Sequence, residues 1–217
     1  MSSKIEIQYV NKPTAVFTTI LDNHVELNKY LKEVILEHRQ HFPEPTKSNV
    51  KAWHSSWITH LENPKFQPII DLTIDACKFI AQGYYEGGDD LEYKVINFWA
   101  MMYEDSEWAK KHSHFPSDFA ACYYVDVEPN CAPIIFESVM KDGLHDNNQP
   151  LTILPQNGML AIWPAILHHE VPRTKGRRMC ISMNIDKGSR EEYNLKHRKS
   201  KIANNKAFIN EPSVVRE

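Results

Sequence analysis

Several things are scarce in this chain, and each scarcity excludes something. Its four cysteines, Cys77, Cys122, Cys131 and Cys180, are scattered without a Cys-x-x-Cys pair, so they read as isolated thiols, which behave as small hydrophobes. No apolar run approaches the roughly 18 to 20 residues that a membrane span needs. The opening MSSKIEIQYV lacks the charged start and apolar stretch of a secretory leader, and a cytoplasmic location is expected. Basic residues are not in excess. Lys and Arg number 25 against 28 Asp and Glu, for a net charge of -3, which gives neither a field for nucleic acid nor a polybasic arm for a membrane surface. A small-molecule or peptide substrate fits better. There is no internal repeat, and the oligomeric state, a homodimer included, is left open.

What is present suits one substantial core: 217 residues, 42% of them hydrophobic. Residues 4 to 21, from IEIQYV to PTAVFTTIL, are rich in β-branched side chains and predict at least one strand. Asn23 and Glu26 have capping-box spacing, and Leu27, Leu31, Val34, Ile35 and His38 then recur at helical spacing until Pro43. A second helix is predicted over 66 to 82, ending at Gly83. The segment AWHSSWITHL, with Trp53, His54, Trp57 and His60, fits a helix or a loop whose rings pack in a core. From about residue 91 the chain turns to short β-branched and aromatic runs broken by Pro, Gly and Asn. Strands are predicted at 93–103, 119–127, 133–138, 151–154, 159–163, 167–171 and 177–185. The expected fold is α+β and mainly β, a jelly roll backed by N-terminal helices. One domain should span 1–186, its helical part being 1–90, with a charged C-terminal arm over 187–217.

Eleven histidines are too many for any one to stand out, so spacing must select ligands. In extended backbone, His112 and His114 point to the same side and can present two imidazoles to one metal. Late in the chain His168 and His169 are adjacent, so only one of them can face a site begun near 112. Beyond them Arg178, Cys180, Ser182 and Asn184 alternate with Met179, Ile181, Met183 and Ile185, one face for a polar cavity and the other for helices. A guanidinium pointing into a barrel calls for an anion there, because burying it unpaired costs several kcal/mol. Each feature has an ordinary reading by itself: hydrogen-bonded loop histidines, or an Arg178–Glu170 surface pair.

The segments HSHFPSDFAACYYVDVEP, GMLAIWPAILHHEV and RMCISMN together resemble the 2-oxoglutarate and iron(II)-dependent oxygenases, especially a group common in marine bacteria and their phages, and more distantly the prolyl hydroxylases. The resemblance covers roughly residues 90 to 186 and implies a double-stranded β-helix. It further implies an Fe(II) site formed by His112, His114 and His169, the last preferred over His168 because Arg178 follows it by nine positions. Arg178 and Tyr124 would hold the far carboxylate of the cosubstrate 2-oxoglutarate, with Ser182 and Asn184 lining the same end. The implied reaction is hydroxylation of a substrate C–H bond by dioxygen, releasing succinate and CO2. One position departs from the wider pattern: His114 stands where a carboxylate ligand is usual, with Asp118 and Glu137 as nearby substitutes. Two rivals stay open, a three-histidine cupin-like dioxygenase without 2-oxoglutarate and a non-catalytic jelly-roll binding module. Trp99, Tyr103, Phe115 and Trp163 are candidates for the pocket wall.

Overall fold

The structure is a computed structural model that describes residues 14–45, 48–84, 92–137 and 149–188. Eleven strands form two sheets. The larger contains β1 (Phe17–Ile20), β3 (Trp53–His54), β4 (Tyr93–Tyr103), β6 (Phe119–Val127), β9 (Met159–Pro164) and β11 (Arg178–Lys187), in the spatial order β1-β9-β6-β11-β4-β3. The smaller contains β2 (Val50–Lys51), β5 (Trp108–His112), β7 (Ile134–Phe136), β8 (Leu151–Ile153) and β10 (His169–Val171), in the order β2-β5-β10-β7-β8. Every pairing between these strands is antiparallel. The chain is mainly β, as its sequence predicts, with helices on one side.

Three helices, α1 (His24–His41), α2 (Thr59–Glu62) and α3 (Gln67–Tyr84), supply that helical layer. The buried stripe of α1 is Leu27, Leu31, Val34, Ile35 and His38, the five positions that the helical period selects. Asn23 does stand at its N-cap, but with ψ at 19° it makes no side-chain cap bond. The capping box therefore does not form, because a capping residue needs an extended backbone to turn its oxygen back onto the first turn. Helix α3 runs through Gly83 to Tyr84, one residue beyond the predicted stop.

Periodicity on β11 explains why two cores exist. Met179, Ile181, Met183 and Ile185 join Leu31, Ile35, Phe66, Ile69 and Phe98 in the core between the large sheet and the helices. Cys180 faces the other way, with Trp99, Tyr124, Phe136 and Trp163, into the space between the two sheets. A side-chain period of two puts successive residues on opposite faces, so one strand serves both layers. The same rule separates Tyr123, whose hydroxyl donates to Asn28 Oδ1 at 2.6 Å on α1, from Tyr124 on the inner face.

The predicted strands at 93–103 and 119–127 coincide with β4 and β6. The strands predicted at 133–138, 151–154 and 167–171 are shorter, at three residues each. Strand β5 was not predicted, since WAKKH has two lysines and no clean alternation. AWHSSWITHL, residues 52–61, splits into β3, a connecting turn and the start of α2 rather than forming one helix or loop. Gly158 precedes β9 with φ of +81°, and a Cβ there would meet His24 Cβ at 2.3 Å, so conformation and space both require glycine. From 189 onward the expected C-terminal arm lies outside the described residues, as does the segment 4–13. No helix among the described residues is long and apolar enough to cross a membrane.

Candidate metal centre and its cavity

Short strands of the smaller sheet bring the histidines together. His112 ends β5, His169 begins β10, and the two are registered partners across that antiparallel pair. His114 lies two residues past β5, where its N–H donates to Ala165 O at 2.8 Å and fixes the turn of the chain. One ring nitrogen from each of His112, His114 and His169 lies within 4.8 Å of the others, a grouping able to hold one ion. His168 points elsewhere, as adjacent residues on a strand must. Asp118 and Glu137 do not enter the cluster: Asp118 accepts from Lys187 N at 2.8 Å, and Glu137 pairs with Lys111 at 3.5 Å.

The hydrogen bonds around the rings decide which nitrogen is available. His112 Nδ1 bonds Lys110 O at 2.6 Å, and His169 Nδ1 bonds Leu167 O at 3.1 Å. A carbonyl can only accept, so both rings carry the proton on Nδ1 and keep a bare lone pair on Nε2. His114 Nε2 and His169 Nε2 then face each other at 3.3 Å. That separation is close to the roughly 3 Å between neighbouring nitrogens on an ion bound at about 2.1 Å. Burial lowers the pKa of all three rings, His114 to about 3 and His169 well below the usual imidazole range, with neighbouring imidazoles adding to the effect. The rings are therefore neutral near pH 7, the state that ligates metal. The donor set fits a divalent first-row ion, since imidazole nitrogen suits iron, zinc, copper and nickel alike.

A cavity of about 410 Å³ extends from the histidines between the sheets. At its inner end, Arg178 on β11 is 2% exposed. Its guanidinium sits over the rings of Tyr103 and Tyr124, 5.1 Å from each centroid. Nη1 donates to Ala132 O at 3.1 Å, while Nε is buried without a partner. It does not meet Glu170. Burial opposes its charge, the surrounding Tyr124, Cys180 and Tyr103 favour it, and the guanidinium stays protonated. The Tyr124 hydroxyl is likewise buried and unpartnered, and burial raises its pKa well above the usual phenol range. It is a neutral donor beside a cation. Two unmet donors beside one buried positive charge, which no carboxylate pairs among the described residues, fit an anionic group entering from the cavity.

Ser182 and Asn184 lie further along the inner face of β11, both lining the cavity. They stand at different distances from the guanidinium end: Ser182 is registered with Cys122 and Asn184 with Ala120. Asn184 is nearer the histidines and favours the proton on His114. The outer wall is aromatic. His54 stacks on Trp99 at 5.6 Å, Trp99 on His114 at 5.7 Å, and Trp57 stands edge-on to Trp99 at 4.6 Å. Trp163 is buried against His169, whereas Phe115 is 71% exposed at the mouth. Sequence reading singles out Trp99, Tyr103, Phe115 and Trp163 but not His54. The only signal available for His54 was its alternation with Trp53, which sends one ring to the helix core and the other to the cavity.

Residues 97–184 match the family described as "Putative 2OG-Fe(II) oxygenase". No curated protein is similar in sequence to the chain. Among solved structures, a prolyl-4-hydroxylase from Pseudomonas putida shares 13% identity at a TM-score of 0.57, covering 81% of this chain and 94% of its own. The viral collagen prolyl hydroxylase of Paramecium Bursaria Chlorella virus-1, solved as a 2-oxoglutarate complex, shares 11% at 0.55, covering 79% and 96%. HygX from Streptomyces hygroscopicus, solved with nickel, 2-oxoglutarate and hygromycin B, shares 8% at 0.58, covering 80% and 83%. These likenesses show the fold, a double-stranded β-helix. Over residues 97–184, its β core, the chain is thus similar in sequence to this oxygenase family, and it shares the double-stranded β-helix fold of the three structures.

Proposed function

We propose that the chain is a 2-oxoglutarate- and Fe(II)-dependent dioxygenase that hydroxylates a C–H bond of a small-molecule or peptide substrate. The observation that carries this reading is the pairing, in one cavity, of three imidazoles converging through bare nitrogens with a buried guanidinium that lacks an anion. His112, His114 and His169 would hold the iron. Arg178, with the Tyr124 hydroxyl beside it, would hold the distal carboxylate of 2-oxoglutarate, and Ser182 and Asn184 line the passage between. When bound, iron(II) and 2-oxoglutarate supply the oxygen chemistry, in which the oxo acid is decarboxylated to succinate and CO2 and one oxygen atom of O2 passes to the substrate.

The protein's own part is orientation and exclusion of water. Backbone carbonyls lock the tautomers of His112 and His169, so no proton competes for the ligating nitrogens. Tyr103 and Tyr124 flank the guanidinium and keep water from it, which strengthens its attraction for a carboxylate in the low-dielectric interior. The aromatic wall of Trp57, Trp99 and Trp163 leaves a dry surface for the substrate. Likeness in fold to prolyl hydroxylases makes an amino-acid side chain, free or within a peptide, the first substrate class to test.

Anaerobic addition of Fe(II) and then 2-oxoglutarate should develop the charge-transfer absorption of the chelate. Slow succinate release should follow on admitting oxygen. Arg178→Ala should raise the 2-oxoglutarate concentration needed by at least about 30-fold, since loss of a buried charged partner costs about 2 to 5 kcal/mol. A three-histidine dioxygenase without the cosubstrate predicts instead a spectrum indifferent to 2-oxoglutarate.

A further inference from the structure

The inner face of β11 ends in a feature that the cosubstrate does not need. Asn184 and Asn97 are directly opposed on β11 and β4, and Asn184 Nδ2 donates to Asn97 Oδ1 at 3.2 Å. This pair leaves Asn184 Oδ1 buried without a well-formed hydrogen bond. Immediately beyond it the β4 partner skips from Asn97 to Val95, a bulge opposite the step from Asn184 to Ile185. Bulges re-aim side chains and are concentrated beside functional sites. Asn184 and His114 line the same cavity, where the orphaned amide oxygen is buried, and Asn184 favours a proton on the His114 ring although burial prevails.

The three ligand histidines are thereby treated unequally. His112 and His169 each give Nδ1–H to a backbone carbonyl two residues back. His114 has no such carbonyl. Its backbone N–H is committed to Ala165 O and its Nε2 faces His169, which leaves Nδ1 to find its acceptor in the cavity wall, where the Asn184 oxygen is unpartnered.

We propose that Asn184 is a positioning residue of the metal centre: its side-chain carbonyl accepts the Nδ1–H of His114 and so fixes the tautomer and ring plane of that ligand. This rests on the three-histidine reading above and moves Asn184 from the cosubstrate's wall to the metal's outer shell. Asn97 orients the amide by accepting from Nδ2, and the Trp99 ring stacked on His114 keeps the imidazole from tilting away. An outer-shell acceptor of this kind raises the basicity of its ligand. A neutral amide does so without adding charge, so the site keeps the extra positive unit that His114 gives it relative to a carboxylate ligand.

The test uses the full-length protein stripped with a chelator and titrated anaerobically with Co(II), read by its d–d absorption. 2-Oxoglutarate is then titrated into the cobalt protein. Asn184→Ala should weaken Co(II) binding by about 10- to 100-fold, the usual effect of removing an outer-shell partner, and leave 2-oxoglutarate affinity within about twofold. Asn184→Asp is nearly isosteric, and Asn97 can turn its amide to donate to it. It should bind Co(II) at least as tightly as wild type, because an anion on Nδ1–H strengthens the ligand. Wild-type cobalt protein should show three shifted, slowly exchanging imidazole N–H proton signals, of which Asn184→Ala loses one. Equal Co(II) affinity in all three proteins overturns the proposal, as does a loss of 2-oxoglutarate affinity with Co(II) binding intact. Failure of the histidine site itself would be seen separately, in wild type, as no cobalt uptake.

Discussion

The two sheets are built on different scales, and the site takes a different part from each. In the large sheet β11 pairs with β4 over ten registered positions, from Arg178 opposite Tyr103 to Lys187 opposite Tyr93. In the small sheet β10 pairs with β5 at two positions with an irregularity between them. The long strands hold the guanidinium, which no other charge compensates, because their outer face is locked to the helices by Ile181, Met183 and Phe98. The short strands and the turn after β5 hold the proposed metal ligands, whose positions depend on their own hydrogen bonds. The large sheet therefore supplies stability and the small sheet supplies convergence.

The largest expected effect tests that division. Phe98 is fully buried between the large sheet and the helices, in ring contact with Phe66 at 5.0 Å. Phe98→Ala should cost about 3 to 5 kcal/mol of unfolding free energy by denaturant titration, the usual range for emptying an aromatic site. The fraction that remains folded should take up Co(II) with wild-type affinity. A variant that lost metal affinity along with stability would show that the helix-packed face also sets the geometry of the ligands.

A smaller effect should separate the cavity face from the helix face by pH. His54 on β3 is fully buried, with Nε2 unpartnered, and burial lowers its pKa from 6.5 to about 4 despite a bond from its Nδ1 to Ser55 O. The unfolded chain takes up this proton near pH 6.5 and the folded chain does not. The stability linked to His54 is thus fully present above pH 6.5 and declines as pH falls toward 4. A shift of this size corresponds to about 3 kcal/mol. His54→Gln should lose correspondingly less stability than wild type between pH 6.5 and 4 in metal-free protein, measured by denaturant titration at each pH. An identical pH dependence in the two proteins would mean that His54 is solvated in solution.

The same contrast explains what could be read from the sequence. Strands β4, β6 and β11 are long enough for their alternation to declare both faces, and the five buried positions of α1 follow from their spacing alone. Assignment of Met179, Ile181 and Met183 to the helix side and Arg178 and Ser182 to the cavity side needed only a period of two. Strand β5 escaped notice because Lys110 and Lys111 face solvent, and its place is set by pairing with β10 about sixty residues later in the chain. That His112 and His169 would be registered partners is a long-range fact that no local pattern encodes. The failed cap at Asn23 is the converse case, a correct local signal overridden by the chain's entry from β1. Alternation with Trp53 was the one local signal for His54, and no local pattern marks the bulge opposite the step from Asn184 to Ile185.

The sharpest contrast is between a residue's value to the fold and its value to the site, and Arg178 puts a sign on it. Without an anion, Arg178 is 2% exposed, donates from Nη1 to Ala132 O, and leaves Nε unpartnered. Burial of such a charge costs several kcal/mol even after relaxation. Two cation–π contacts return about 1 to 2 kcal/mol each at best, and a hydrogen bond from a charged donor about 1.5 to 3. The unpartnered Nε adds about 1 to 3 kcal/mol to the cost, which puts the empty site on the unfavourable side of that balance. Arg178→Met, which keeps the unbranched stem and fills most of the same space, should therefore raise the unfolding free energy of the ligand-free protein by about 1 to 2 kcal/mol. The same variant should lose the stabilisation that wild type gains on adding metal and 2-oxoglutarate, which for ligand at 100 times its dissociation constant is about 2.7 kcal/mol. Denaturant titrations with and without the two ligands should thus cross, the variant ahead when empty and wild type ahead when loaded. If the variant is the less stable of the two even when empty, the tyrosine cage and Ala132 already satisfy the guanidinium, and its burial would no longer be a reason to expect an anion in the cavity.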